Sequence, residues 1–101
     1  MDLAPPSKLT FVDPNVTMGE GNTPLIKLSK TGLAIGCDSL VAKLEFLNPT
    51  GSFKDRGTAT LITQLKAMGI TAIAEDSSGN AGASVAAYAA RASVVALMFI
   101  G

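Results

Sequence analysis

The spacing of apolar and polar residues changes several times along the chain, and each change predicts an element of secondary structure. Residues 39–46, SLVAKLEF, alternate well enough to predict a β-strand. Farther on, apolar residues recur at helical spacing and predict a helix that ends at Gly69. Its start is indicated by Ser52, which stands three residues before Asp55 as in a capping box. The apolar residues of this helix are Leu61, Ile62, Leu65 and Met68.

The second half of the chain repeats the alternation of strand and helix. Residues 71–75 predict a short strand, and the turn residues DSSGN follow at 76–80. The alanine-rich stretch at 81–92 predicts a helix, and the run VVALMFI at 94–100 is typical of a strand buried on both faces. The order strand, helix, strand, helix, strand predicts an α/β fold, namely a parallel-sheet βαβαβ unit with two right-handed crossovers.

The amino-terminal part of the chain carries weaker patterns. Residues 1–17 contain three prolines and predict an extended arm. Residues 19–28, GEGNTPLIKL, combine a Gly-rich loop with a short apolar run, and residues 29–38 are typical of a short helix or a loop. We therefore expect an arm and Gly-rich loop at 1–38, followed by the βαβαβ unit at 39–101.

The composition indicates a more apolar chain than an independent small domain needs. Of the 101 residues, 48% are hydrophobic and 16% are charged. A small domain has a large surface relative to its volume and usually covers it with more polar groups. The chain is therefore expected either to pack against a partner or to be a piece of a larger protein.

Charge and residue content exclude several classes of function. The formal net charge is zero and no basic run is present, which argues against a nucleic-acid partner. Histidine is absent and Cys37 is the single cysteine, so disulfides, metal sites of Cys and His, and His-dependent nucleophiles are not expected. The start of the chain does not look like a secretory signal, and no apolar run approaches the ~20 residues that span a bilayer. We expect a cytoplasmic protein without a membrane partner.

The stretch NPTGSFKDRG at 48–57 is the first candidate for chemistry. It places Lys54 and Arg56 near a predicted helix start, where a cation is disfavoured by a few tenths up to about 1 kcal/mol. This position, together with partial burial, would favour the neutral amine of Lys54, which attacks carbonyl carbon, whereas Asp55 opposes that trend. A solvated surface lysine is the alternative interpretation, and both remain open on local grounds.

The stretch SSGN at 77–80 is the second candidate. It precedes the alanine-rich helix, whose first N–H groups lack partners within the helix and could bind an anion. A simple helix cap is the alternative, and the two interpretations are compatible. Each candidate loop follows a predicted strand, so the loops would face one crevice if those strands were neighbours. Neither loop matches a nucleotide-binding motif.

Three segments in order carry a resemblance to a known family. GEGNTPL, KLEFLNPTGSFKDRG and EDSSGNAGASVAAYAARA resemble the amino-terminal part of the threonine synthases. These enzymes belong to the fold-type II, tryptophan synthase β-like group of pyridoxal-phosphate enzymes, together with cysteine synthase and serine/threonine dehydratase. The resemblance covers roughly residues 17 to 100. It implies pyridoxal 5'-phosphate as the cofactor and an amino-acid substrate.

The resemblance also implies roles for individual residues. Lys54 matches the lysine that binds the cofactor covalently and acts in catalysis, and Asn80 matches the residue that hydrogen-bonds the phenolic oxygen of its ring. Asp55 and Arg56 flank the lysine and are expected to be structural. The residues implied in substrate binding are Ser77, Ser78, Asn80, Ala81 and Thr23.

The implied reaction converts O-phospho-L-homoserine and water to L-threonine and phosphate. A dehydratase or cysteine synthase-like activity, or a non-catalytic fragment that only associates with partner chains, are the alternatives. Members of the family run to several hundred residues, so we expect an inactive amino-terminal fragment that lacks the carboxyl-terminal remainder. Its apolar last strand predicts self-association. The join ARASVVALM also lacks the glycine expected after a helix.

Overall fold

The computed structural model describes residues 15–76 and 79–99, and the chain there forms an α/β structure. The predictions for the arm before residue 15, for Ser77 and Ser78, and for Ile100 lie outside the described residues. The elements in chain order are β1 (Leu25–Lys27), α1 (Ser29–Ile35), β2 (Val41–Lys43), a 3-10 turn (Glu45–Leu47), α2 (Lys54–Ala67), β3 (Ala72–Asp76), α3 (Gly79–Arg91) and β4 (Val95–Phe99).

The parallel pairing of the last two predicted strands is confirmed. β3 and β4 run parallel, with Ala72 opposite Val95 and Asp76 opposite Phe99. The connecting helix α3 packs against both strands. This β3–α3–β4 unit is the crossover arrangement that a strand, a helix and a strand in close succession predict.

The first predicted strand is shorter than expected and has a different partner. β2 spans three residues and pairs antiparallel with β1, so that Ile26 lies opposite Ala42. The chain turns into the 3-10 turn at Glu45, after the Leu44 N–H donates to the Pro24 carbonyl at 3.0 Å. Within the described residues β2 is therefore not part of the parallel sheet, and two two-stranded sheets replace the single predicted one. The predicted α/β class is confirmed. The predicted division of the chain between residues 38 and 39 falls between β1 and β2, which pair with each other.

The helix α2 does not begin with the capping box that the sequence predicts, and it ends in a Schellman motif. The Asp55 carboxylate accepts hydrogen bonds from Thr50, and not from Ser52 as the capping-box spacing predicts. At the other end Gly69 adopts φ 80°, and its N–H donates to the Lys66 carbonyl at 3.0 Å. The Ile70 N–H donates to the Leu65 carbonyl at 3.1 Å, which completes a Schellman motif. The predicted stop at Gly69 is confirmed.

The helix α3 ends in the same motif without a glycine. Ser93 takes the left-handed position at φ 59°, and its N–H donates to the Ala90 carbonyl at 3.2 Å. The Val94 N–H donates to the Ala89 carbonyl at 2.8 Å. The left-handed conformation disfavours a residue with a Cβ atom, so this turn holds a strained serine where the sequence lacks the expected glycine.

The core lies where α2, α3 and the start of β4 meet. Of the helical stripe predicted on α2, Ile62 is fully buried and Leu65 is half-buried, whereas Leu61 and Met68 are exposed. The buried members of this core are Ala59, Ile62, Tyr88, Ala89, Ala92 and Val94. The Asp55–Ser84 hydrogen bond near the starts of the two helices and the Lys66–Ala92 hydrogen bond near their ends show that α2 and α3 run side by side in the same direction.

The strand β4 is covered on one face only by the described residues. Ala96 packs against the core, whereas Val95, Leu97 and Phe99 remain 57–60% exposed. The described residues therefore leave the second face of this apolar strand uncovered, which is the exposure from which self-association is predicted. Among the described elements α3 packs on one side of the β3–β4 sheet, and alternate residues of a strand point to opposite faces.

Candidate functional site

Lys54 stands at the first position of α2, directly after a tight turn. The Gly51 N–H donates to the Asn48 carbonyl at 2.9 Å, and Gly51 has φ 90°, so the predicted turn at 48–51 is confirmed. The Lys54 side chain is exposed, and its Nζ lies 5.3 Å from the centroid of the Phe53 ring. The primary amine is thus accessible to a ligand that approaches the start of α2.

Asp55, the next residue, is fully buried. Its Oδ2 accepts the Thr50 N–H at 2.7 Å, and its Oδ1 accepts the Thr50 hydroxyl. The Ser84 hydroxyl, on α3, donates to the same Oδ1 at 2.6 Å. One carboxylate therefore joins the turn before Lys54, the start of α2 and the second turn of α3.

Asn80 lies in the first turn of α3, four residues before Ser84, and its side chain is exposed. Residues four apart share one face of a helix, so Asn80 lies one turn from the contact between Asp55 and Ser84. Ala81 is half-buried. The packing of α2 on α3 brings the two helix starts together, although β2 and β3 are not neighbours. A crevice lined by both Lys54 and residues 77–81 stays a prediction.

Thr23 is buried, and both its hydroxyl and its carbonyl take part in hydrogen bonds. Its hydroxyl donates to Glu45 Oε2 at 2.6 Å, and Arg56 Nη2 lies 3.3 Å from the same hydroxyl. Its carbonyl accepts a hydrogen bond from Lys43 Nζ at 2.6 Å. The structure thus places Thr23 next to Arg56, two residues beyond Lys54.

Arg56 and Glu45 form a two-pronged ion pair, with Nε to Oε1 at 2.7 Å and Nη2 to Oε2 at 2.9 Å. Hydrogen bonds from Arg56, and secondly from Thr23, lower the pKa of Glu45 to about 2. Glu45 in turn raises the pKa of Arg56. The pair adds to the adjacent Asp55 in offsetting the unfavourable position of a cation at the start of α2.

The Gly-rich loop is held next to the start of α2 by the side-chain amide of Asn48 and by the close approach of Gly21 to Arg56. The Gly21 N–H donates to Asn48 Oδ1 at 2.8 Å, and Asn48 Nδ2 donates to the Glu45 carbonyl at 2.8 Å. Gly21 has φ 83°, and a Cβ atom there would lie 3.2 Å from Arg56 Nη1. A larger residue would therefore be strained and would press on the Arg56 guanidinium.

A second polar contact ties the same loop to α3. Tyr88 is fully buried and its hydroxyl donates to Glu20 Oε1 at 2.7 Å. Burial, and secondly this bond, raise the pKa of Tyr88. Burial alone would raise the pKa of Glu20, but hydrogen bonds from Tyr88 and from the Met18 N–H outweigh it and lower that pKa.

Several residues of this network have no role in the sequence-based prediction, or only a structural one. The sequence predicts a structural role for Asp55 but does not indicate its partner. That partner is Ser84, a polar residue within an alanine-rich helix. The four-residue spacing of Ser84 and Tyr88 is a signal that places both on one helix face. The pairing of Glu45 with Arg56 spans eleven residues and a turn, so no local pattern indicates it.

Residues 15–76 and 79–99 contain neither a metal-binding cluster nor a membrane-spanning helix. No group of His, Cys, Asp or Glu there could hold a metal ion. No helix in the same part of the chain is long and apolar enough to cross a membrane.

Comparison with known proteins identifies the family. A family model described as pyridoxal-phosphate dependent enzyme matches residues 16–100, a range that holds the whole network around Lys54. The chain belongs to the pyridoxal-phosphate dependent enzymes. The α/β structure with its parallel β3–β4 pair is consistent with this family.

Curated members named threonine synthase are similar to this chain. The protein of Mycobacterium leprae is 47% identical over 85 residues, which are 84% of this chain and 23% of that protein. The Synechocystis protein is 48% identical over 88 residues, 86% of this chain and 23% of that protein. The Halalkalibacterium halodurans protein is 45% identical over 92 residues, which are 91% of this chain and 26% of that protein. The chain spans about a quarter of the length of these relatives.

The described residues fit the cofactor of the family. Pyridoxal phosphate carries an aldehyde, and Lys54 offers an exposed primary amine that can bond to it. It also carries a ring hydroxyl, and Asn80 offers an exposed amide on the neighbouring helix start. The buried contact between Asp55 and Ser84 holds these two helix starts together.

Proposed function

We propose that the complete protein is a threonine synthase-like pyridoxal-phosphate lyase that converts O-phospho-L-homoserine and water to L-threonine and phosphate. One observation carries this proposal: Lys54 stands exposed at the start of α2, which Asp55 ties to α3 and hence to the side of Asn80. The similarity to threonine synthases over 84–91% of the chain supports the choice of reaction.

The residues of the chain take separate roles in this proposal. Lys54 binds the cofactor covalently and, once its amine is free, accepts and returns protons at the substrate carbons. Asn80 binds the phenolic oxygen of the cofactor. The bound cofactor supplies an electron sink for the substrate carbons. Substrate binding is assigned to residues of the 77–81 loop and to Thr23, and the residues proposed are Ser77, Ser78, Asn80, Ala81 and Thr23.

The location of Thr23 supports a role in shaping the substrate region. Its hydroxyl is shared between Glu45 and Arg56, so the loop around it is fixed next to α2. We propose that the substrate is a small amino acid and that the protein acts in the cytoplasm, with neither nucleic acid nor a membrane as partner. The formal net charge of zero supports the absence of a polyanionic partner.

Cofactor attachment tests the proposal. Pyridoxal phosphate is added to the complete protein, the adduct is trapped with borohydride, and the labelled peptide is mapped. The label is expected on Lys54, and Lys54→Ala should abolish it. Lys30→Ala removes an equally exposed lysine on α1 and should leave the label unchanged. A label on Lys43 or Lys66 would reject the assignment.

Substrate assays separate the proposed reaction from its relatives. The complete protein is assayed with O-phospho-L-homoserine, with serine and with O-acetylserine. Release of phosphate from the first compound supports the threonine synthase-like reaction. Turnover of serine or O-acetylserine alone would favour the dehydratase or cysteine synthase-like alternative. No cofactor binding at all would favour a non-catalytic protein that only associates with other chains.

We also propose that residues 1–101 by themselves do not release phosphate and that they self-associate. The exposed face of β4, formed by Val95, Leu97 and Phe99, supports the second statement, because a contiguous exposed apolar face packs readily against a second copy. Light scattering should show a mass above that of one chain. Leu97→Gln should lower this mass, whereas Leu33→Gln, at an 83% exposed position on α1, should not. A compact monomer that turns over O-phospho-L-homoserine would contradict both statements.

A further inference from the structure

Asp55 is the most buried charged side chain among the described residues, and its environment is unusual for a helix cap. It is 0% exposed, and its carboxylate accepts hydrogen bonds from three donors. Burial of an anion is strongly unfavourable unless such donors replace its water. A cap at the same position could keep its carboxylate in solvent, so capping alone does not explain the burial of Asp55.

The three hydrogen bonds fall into two groups. Two come from Thr50, only five residues earlier, and they fix the turn that precedes Lys54. The third comes from Ser84, 29 residues later, and crosses to α3 at 2.6 Å. The local bonds serve the start of α2, whereas the bond from Ser84 sets the distance between the two helices at this end.

We propose that Asp55 is a positioning residue that fixes Lys54 relative to Asn80. Asp55 is joined to Lys54 by one peptide bond, and Ser84 lies one helical turn beyond Asn80. Short side chains in a dry environment hold this spacing within hydrogen-bond length, since no water competes for the carboxylate. The inference rests on the proposed function, in which Lys54 and Asn80 bind the same cofactor.

Ser84→Ala is the main test, carried out on the complete protein. Alanine is smaller than serine and a better helix former, so α3 should be retained while the bond to Asp55 is lost. The rate at which pyridoxal phosphate labels Lys54, trapped with borohydride, should fall about ten-fold because the two helix starts are no longer aligned. Labelling of Lys30 should not change. Thr60→Ala is the matched control, because it removes an exposed hydroxyl that donates to the Arg56 carbonyl within its own helix and not to α3.

Asp55→Asn supplies a second variant of nearly the same shape. Its amide either places a donor against the Thr50 N–H or donates to the Thr50 and Ser84 hydroxyls, which now donate to the carboxylate. In either orientation the charge-assisted hydrogen bonds of Asp55 are lost. Labelling of Lys54 should fall at least as far as in Ser84→Ala. Asp38→Asn makes the same change of charge at an exposed position before β2 and should behave as the wild type.

Amide hydrogen exchange in residues 79–85 is the readout that does not depend on the cofactor. Protection there should drop in Ser84→Ala and in Asp55→Asn, and it should stay unchanged in both controls. If Ser84→Ala and Asp55→Asn fold and label Lys54 at the wild-type rate, Asp55 is only a cap and the inference is overturned. If Asp55→Asn does not fold, Ser84→Ala decides alone.

The same data separate this inference from the proposed function. If the wild type labels Lys54 no faster than Lys30, the proposed role of Lys54 fails. The link between the helices is then tested by the exchange protection of residues 79–85 alone, and a drop of this protection in Ser84→Ala supports the link. Unchanged protection would overturn the link as well.

Discussion

Two regions of the molecule are held together by different forces. In the hairpin region, residues 20–48, the buried residues are Thr23, Gly32 and Asn48, and none of them has an apolar side chain beyond a methyl group. In the helix–sheet region, residues 54–99, a contiguous apolar core lies between α2, α3 and β4. The apolar residues buried there are Ala59, Ile62, Val85, Tyr88, Ala89, Ala92 and Val94.

The difference indicates how each region should respond to change. Apolar burial is non-directional and scales with area, so the helix–sheet region should depend on side-chain volume. Hydrogen bonds and ion pairs depend on geometry, pH and salt, so the hairpin region should depend on a few specific contacts. The ion pair of Glu45 with Arg56 joins the two regions, as does the hydrogen bond from Tyr88 to Glu20.

The largest effect is expected in the core of the helix–sheet region. Ile62 is 0% exposed, and Ile62→Ala removes buried methyl groups and leaves a cavity. The free energy of unfolding should fall by about 2–5 kcal/mol, measured by denaturant titration. Leu61→Ala, at the adjacent and 47% exposed position, should change it by about 0.5 kcal/mol or less. Equal losses in the two variants would contradict a core centred on Ile62.

Substitution of one helix glycine in each region compares the two regions directly. In the hairpin region a Cβ atom on Gly32 would lie 2.3 Å from the Cys37 carbonyl oxygen, whereas a Cβ atom on Gly57 of α2 would meet nothing within 4 Å. Gly32→Ala should destabilise the protein by about 1–3 kcal/mol through this clash. Gly57→Ala should stabilise it by about 0.5–1 kcal/mol. Thermal unfolding of both variants checks the signs, and a gain from both would show that α1 can shift freely.

A smaller gain is expected where the helix–sheet region carries backbone strain. Ser93 has φ 59° in the Schellman motif that ends α3. Ser93→Gly should relieve the strain and raise the free energy of unfolding by about 0.5–1 kcal/mol. Ala90→Gly, inside α3, should lower it by about 1 kcal/mol. A loss in both variants would mean that Ser93 stabilises this turn by a contact that outweighs the strain.

The smallest effect concerns the ion pair that joins the two regions. The pKa of Glu45 lies at about 2 in the folded protein, below its ordinary value of 4.5, so its ionised form is favoured by folding. The resulting stability is fully present above about pH 4.5 and is lost as the pH falls toward 2. Glu45→Gln should flatten the pH dependence of unfolding in this window. High salt should weaken the effect, since the pair is partly exposed, and identical acid profiles for both proteins would count against stabilisation by this pair.

Local patterns predict much of the helix–sheet region but little of the hairpin region. The period of α2, its end at Gly69 and the β3–α3–β4 unit are decided by residues close together in sequence, where steric and hydrogen-bond rules act directly. β2 lies inside the alternating run 39–46 that predicts a strand, but no local signal predicts that it is only three residues long or that β1 is its partner. Their pairing depends on which backbone groups meet after the chain has folded.

The candidate site divides in the same way. The sequence by itself places a lysine after a tight turn at the start of a helix, and a polar loop before the next helix, because turn and capping chemistry is local. Only the tertiary structure decides that Asp55 bonds to Ser84, 29 residues away, and that Arg56 bonds to Glu45. Such partners are chosen by the packing of α2 on α3, because it alone determines which buried polar groups lie within hydrogen-bond distance of one another.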